Sequence, residues 1–167
     1  MKAKIFRSSF AVALVALLAA GILFLSVMYT NDGPLAFEKL EAETAALAPG
    51  TEDGGAAYLQ RAAGDDRITW VAADGTILYE SAADAEQMEN HLSREEIAAA
   101  LQTGAGRSSR YSGTGLTETL YFARRLSDGS VLRAACTRQS LASLVGKLIG
   151  PVLWIATLVI VLCAALS

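Results

Sequence analysis

The stretch Arg67-Ile68-Thr69-Trp70-Val71-Ala72-Ala73-Asp74-Gly75-Thr76-Ile77-Leu78-Tyr79-Glu80-Ser81 decides how the chain is read. Its first half alternates, so Ile68, Trp70 and Ala72 share one face of an extended segment. Asp74-Gly75 is a strong tight-turn pair, because such a turn needs positive φ. Thr76 to Glu80 then runs back, with Ile77 and Tyr79 on the face opposite Leu78.

Working outward, Ser93-Arg94-Glu95-Glu96 has the spacing of a capping box, with Ser93 at the cap and Glu96 three residues on. It opens a helix whose buried side is Ile97, Leu101 and the alanines between them, and Gly104 stops it. Three more strands are predicted: Arg107–Ser112, Leu116–Leu126 with Leu120, Tyr121 and Phe122, and, after the Asp128-Gly129 turn, Ser130–Thr137. Upstream, Asn31 to Pro34 is polar and turn-like. Leu35–Leu47 reads as a helix with a stripe of Phe37, Leu40 and Leu47 that Thr44 interrupts, and Pro49-Gly50 ends it. Gly55–Ala63 holds a short helix with Tyr58 and Leu59, and 82–89 is polar with a further short helix. The order implies an α+β domain on a five-stranded, mainly antiparallel sheet.

Hydrophobicity is concentrated at the two ends. The chain is 53% hydrophobic, with a mean hydropathy of +0.36. Between Phe10 and Tyr29 the only polar side chain is Ser26, and Leu148–Leu166 carries no charge. Each run is long enough, as a helix, to cross roughly 30 Å of hydrocarbon. Helix is the form such a run takes, because lipid offers the backbone no hydrogen-bond partners. All 17 acidic residues lie between Asp32 and Asp128, while only Lys2, Lys4 and Arg7 precede the first run. Basic residues next to a span hold that end in the cytoplasm. The expected organisation is therefore a cytoplasmic N-terminus over 1–9, a span over 10–29, an extracytoplasmic domain over 30–147 and a second span over 148–167. The first run exceeds the core of a signal peptide, and no small-x-small cleavage site follows it, so an uncleaved anchor is expected. Cys136 and Cys163 sit in different solvents and do not pair. Cys136 alternates with Leu132 and Ala134, which makes it a small core residue.

The hairpin 67–81 resembles the first hairpin of PAS-like, Cache-type extracytoplasmic sensor domains. Met88-Glu89-Asn90-His91, Arg94-Glu95-Glu96-Ile97, Ser109-Arg110-Tyr111-Ser112 and Leu126-Ser127-Asp128-Gly129-Ser130 extend the likeness. Together they resemble the N-terminal region of PhoR/WalK-type sensor histidine kinases of Gram-positive bacteria. The resemblance implies a PAS-like five-stranded antiparallel sheet with flanking helices, bracketed by two transmembrane helices. It also implies a homodimer that answers an unknown extracellular signal. Autophosphorylation and phosphotransfer to a cytoplasmic response regulator would fall to a HAMP linker, a phosphoacceptor hairpin and an ATP-binding domain beyond Ser167, so the sequence is expected to be a fragment.

In such domains the sheet and its covering helices can enclose a small molecule. The polar candidates are Arg110, Tyr111, Tyr121 and Arg133, since arginine presents a rigid donor fork suited to carboxylate or phosphate. The alternative is that the arginines form surface pairs and the tyrosines fill core edges. His91, the only histidine, is read as an ordinary surface or turn residue. Asp84, Glu86 and Glu89 near it match no metal-ligand spacing. No catalytic motif and no cofactor motif is present, and an acidic outer domain argues against nucleic acid. Within the spans, Ala16 and Ala20, like Ser9 and Ala13, are small residues four apart that would let helices approach. Gly150-Pro151 is either a hinge or a first helical turn. Two other readings stay open: the ectodomain of a non-kinase receptor, such as a chemoreceptor or cyclic-dinucleotide enzyme, and a membrane-anchored protein-binding module.

Overall fold

Alternating runs that cannot bury both faces as single strands are paired here into one sheet. In the computed structural model residues 2–85 and 88–165 are described. The elements are α1 (Lys2–Ala62), β1 (Arg67–Val71), β2 (Ile77–Glu80), α2 (Glu95–Thr103), β3 (Ala105–Tyr111), β4 (Thr117–Arg125), β5 (Val131–Gln139) and α3 (Leu141–Ala165). The expected strands are all present, within one or two residues of the predicted ends. The predicted short helix over 82–89 includes Glu86 and Gln87, which lie outside the described residues, as do Leu166 and Ser167 of the second apolar run.

The chain divides into two units, one comprising Gly33–Arg138 and the other the residues up to Asp32 with those from Gln139 onward. In the first, the five strands form an antiparallel sheet in the order β2-β1-β5-β4-β3. Ile68 lies opposite Ala134 and Thr69 opposite Arg133, while Ser108 lies opposite Tyr121. Because side chains alternate across a strand, this register sorts the residues onto two faces. One face carries Ile68, Leu120, Phe122, Leu132 and Ala134 against Leu40, Leu47 and Leu59 of α1. The other carries Val71, Ala123 and Val131 against Ile97 and Ala100 of α2. The half-buried Cys136 packs at the edge of the first cluster, as its alternation predicts.

The helix over 35–47 does not end at Pro49-Gly50. The buried stripe runs on through Leu40, Thr44, Leu47 and Thr51. The Thr44 hydroxyl donates to the Leu40 carbonyl at 3.0 Å and that of Thr51 to the Leu47 carbonyl at 2.8 Å, so both threonines enter the core with their polar group satisfied. Burial of this stripe overrides the loss of one backbone bond at Pro49. The break falls instead at Gly55, with φ 57° and ψ −145°, a conformation that is essentially open to glycine alone. The chain reverses there far enough to lay Tyr58 over Gly50, where a Cβ would come within 2.2 Å of the ring. The turn-like reading of Asn31 to Pro34 fails as well, because α1 is helical through these residues.

Among the described residues two helices are long and apolar enough to cross a membrane, over Leu14–Ala62, whose later part belongs to the first unit, and over Leu141–Leu158. Their large apolar side chains face outward: Leu23 is 66% exposed and Trp154 78%. Gly21 of α1 lies close to α3: a Cβ there would stand 3.5 Å from the Leu148 side chain. Ala16 and Ala20 are exposed. Pro151 is well inside α3, which begins at Leu141, so Gly150-Pro151 is not a first turn.

Candidate functional site

The α2 face of the sheet carries a buried network of charges. It begins with Arg133, which lies between Leu132 and Ala134 at the centre of β5 and is only 2% exposed. A buried guanidinium has to be paired, because an isolated charge in low dielectric is costly by several kcal/mol (roughly, per ion). Here Nη1 donates to Glu96 Oε1 at 3.1 Å and Nη2 to Thr69 Oγ1 at 2.9 Å. Thr69 passes the contact on by donating to Glu80 Oε2 at 2.9 Å. Glu80 in turn is gripped by both arms of Arg67, at 3.0 Å each. The second Glu96 oxygen accepts Ser108 Oγ at 2.6 Å and Arg110 Nη2 at 2.5 Å.

Two carboxylates with side chains closed to solvent thus hold three arginines. Burial by itself would raise the Glu96 carboxyl. The Ser108 hydrogen bond and the charges of Arg110 and Arg133 outweigh it and hold the group below the usual range. For Glu80 the same burial is outweighed by Arg67, the Ala82 amide and Thr69. Burial draws the Arg133 ionisation down, and Glu96 opposes that pull. The Tyr121 ring supplies the remaining cover, with the guanidinium carbons of Arg110 and Arg133 at 4.5 and 5.2 Å from its centroid. Arginine on an aromatic face adds about 0.5–2 kcal/mol.

Glu96 therefore does not serve the predicted capping box. The N-cap position is taken by Arg94 without a side-chain cap bond, and the Glu96 carboxylate turns inward to the arginines. What sets its height over the sheet is Gly106 of β3, which comes so close to α2 that a Cβ there would stand 2.1 Å from the Glu96 carbonyl oxygen.

Over this network opens a pocket of about 300 Å³. Arg67, Arg110, Tyr121 and Arg133 form the sheet side, and Met88, Glu89, His91 and Arg94 form the opposite side. The 90–92 segment is held there by the β1–β2 hairpin: the Asn90 side chain donates to the Asp74 carbonyl at 2.9 Å, and the His91 amide donates to that of Gly75 at 2.9 Å. His91 is only 4% exposed, so the surface reading of this residue is wrong. Its Nδ1 faces the Glu89 carbonyl at 2.8 Å, and since a carbonyl only accepts, Nδ1 carries the proton. Burial, then the Arg133 charge, hold the ring below its ordinary ionisation, so it is neutral at pH 7. The Arg94 side chain enters no hydrogen bond or ion pair among the described residues, although its backbone N–H donates to the His91 carbonyl at 3.0 Å. Among the described residues the pocket is thus lined by four guanidinium groups, a neutral imidazole and a single acidic side chain, an arrangement suited to a small carboxylate or phosphate.

Of the predicted ligand residues, Arg110, Tyr121 and Arg133 come together here. Tyr111 does not line the pocket; it is 60% exposed. The reading of the arginines as surface pairs fails for Arg133, whose pairing is internal. Sequence reasoning missed Arg67, Thr69, Glu80, Glu96, His91 and Arg94. A signal did exist for some of them: Arg67 and Thr69 alternate with Ile68 and Trp70, which places polar groups on the α2 face. Glu86, considered as a histidine neighbour, lies outside the described residues. Among the described residues no group of three His, Cys, Asp or Glu side chains converges to hold a metal.

No protein-family model matches this chain, and no curated protein does.

Proposed function

We propose that the chain is the sensory input and transmembrane portion of a bacterial receptor of the sensor histidine kinase kind. In this reading the domain over 30–147 lies outside the cell, the apolar runs over 10–29 and 148–167 cross the membrane, and the arginine pocket receives a small anion. The observation that carries the reading is the arginine-lined pocket over the Arg133–Glu96 pair. It sits in a sheet domain whose chain continues at both ends into helices long and apolar enough for lipid. The basic residues Lys2, Lys4 and Arg7 ahead of the first apolar run support a cytoplasmic N-terminus. The hairpin 67–81 and the motifs that follow it support the kinase assignment over other receptors.

A bound anion would act through differential affinity, favouring whichever packing of the pocket offers its arginines outward. Phosphoryl transfer to a response regulator would be the work of cytoplasmic domains beyond α3, in a homodimer. The experiment is to place the whole chain ahead of a histidine kinase with a measurable output. Autophosphorylation in nanodiscs is then followed while citrate or phosphate is added on the sensory side. The expected result is a saturable change that Arg110→Ala abolishes. Topology is read separately with a membrane-impermeant thiol reagent on intact cells, using a Leu78→Cys variant freed of Cys136 and Cys163. A kinase indifferent to both anions sinks the ligand assignment, and a protected Cys at 78 sinks the orientation.

A further inference from the structure

Away from the arginine pocket, on the α1 face, two acidic side chains meet. Glu43 belongs to α1, and Asp66 is the residue before β1. The Asp66 side chain is 11% exposed. Glu43 is half-buried, and its Oε2 is closed to solvent with no hydrogen-bond partner among the described residues. Lys39, one turn before Glu43 on α1, reaches Asp66 Oδ2 at 2.7 Å, and Glu43 Oε1 lies 3.7 Å from where a Cβ on Gly64 would stand, so the two carboxyl groups come together at the entry to β1. Asp66 Oδ2, like Glu43 Oε2, is closed to solvent and, beyond the Lys39 ion pair, makes no hydrogen bond. Ionised carboxylates only accept hydrogen bonds, so these two oxygens satisfy one another only when one of the two groups carries a proton.

We propose that Glu43 and Asp66 share one proton, which clamps α1 to the entry of the sheet, and that loss of this proton opens the clamp. The charged neighbours fit this arrangement. From α1 comes Lys39, with Nζ 2.7 Å from Asp66 Oδ2 but with a side chain 66% exposed, so its charge is screened by water. From β5 come the Cys136 thiol, pushed up by burial and then by Asp66, and Arg138, which is tied to Glu118 at 2.8 Å. None of these supplies the donor that Glu43 Oε2 lacks. Burial first, then the hydrogen bond and charge of Asp66, raise the Glu43 carboxyl from 4.5 to about 7, while Lys39 pulls the other way. A group raised on folding contributes fully below its unfolded value and is lost as pH rises through its folded value. The clamp is therefore whole below 4.5 and is lost through about 7. Like-charge carboxyl pairs raise one of their two ionisations in this way. The device is independent of any ligand in the arginine pocket, and it acts on the helix that leads in sequence from the first apolar run.

The test uses the full chain in nanodiscs. Infrared difference spectra should show a protonated-carboxyl band at mildly acidic pH that disappears with a midpoint near 7, and Glu43→Gln should remove that band. The Glu43→Gln variant, which keeps the shape but cannot ionise, should also lose the fall in thermal midpoint that the parent shows as pH rises through this range. A parent spectrum without the band, or a variant whose thermal midpoint falls in parallel with the parent, overturns the proposal. Should Glu43→Gln fail to fold, the infrared titration of the parent decides by itself.

Discussion

Arg133 of the central strand and Glu96 of α2 meet at 3.1 Å with both side chains shut away from solvent. The pair fixes α2 over the sheet and floors the pocket. Breaking one partner of such a pair costs more than removing both, because the survivor is left charged and unmatched. Glu96→Ala should destabilise the fold by about 3–5 kcal/mol. Arg133→Met combined with Glu96→Leu should recover most of that loss. Urea unfolding of the full chain in detergent measures both. A Glu96→Ala variant that unfolds at the parent's midpoint would show that the pair holds nothing.

Close approach rather than charge is tested at Gly106. A methyl group there meets the Glu96 carbonyl oxygen at 2.1 Å and Ala99 Cβ at 2.9 Å. Backbone cannot yield as a flexible side chain does, so Gly106→Ala should cost about 1–3 kcal/mol and should weaken the pocket by lifting Glu96. Adding a Cβ at Gly113, where nothing lies within 4 Å, is the control and should leave the unfolding midpoint nearly unchanged.

His91 sets an acid limit. Its folded ionisation lies below the ordinary 6.5, burial being the main cause and Arg133 the next. The unfolded chain therefore takes up the proton first as pH falls, and stability present above 6.5 is lost as pH drops through the lower folded value. His91→Gln should remove that loss. The Glu43 effect runs in the opposite direction with pH, so each variant is compared with the parent at every pH. Identical acid limbs for parent and variant would contradict the buried, neutral imidazole.

Ligand binding separates Arg94 from Tyr111. Arg94 lines the pocket, whereas Tyr111 is outside it. Losing one charge-assisted hydrogen bond is worth about 1.5–3 kcal/mol, so Arg94→Ala should weaken citrate or phosphate roughly tenfold to a hundredfold. Tyr111→Ala should leave the affinity alone. Calorimetric titration of the full chain in nanodiscs gives both numbers, and equal effects of the two substitutions would misplace the site.

How much of this was legible in the sequence differs by residue. Strand alternation and the two Asp-Gly turns placed all five strands, because a half-buried strand must repeat with period two. The apolar runs at the two ends were equally plain. Less visible was the course of α1, where local breaker chemistry at Pro49 was outweighed by the burial of Thr51 and Leu59 from elsewhere in the fold. Arg110, Tyr121 and Arg133 were found because arginine and tyrosine are unusual in apolar strands. Their carboxylate partners were not found, since Glu96 sits in a local pattern that also suits a helix cap and only the sheet opposite it decides which way it turns. His91 lies in a segment with no periodicity, and its burial depends on the hairpin tip folding over it.

The last strand in the chain is the middle one of the sheet, bonded to β1 on one side and to β4 on the other. Edge strands such as β2 and β3 can peel away singly, but β5 cannot leave without unzipping two ladders together. The amides of Leu132 to Ala135 should accordingly be the slowest in the molecule to exchange with heavy water, and the path from β5 to α3 begins at the part of the domain that yields last.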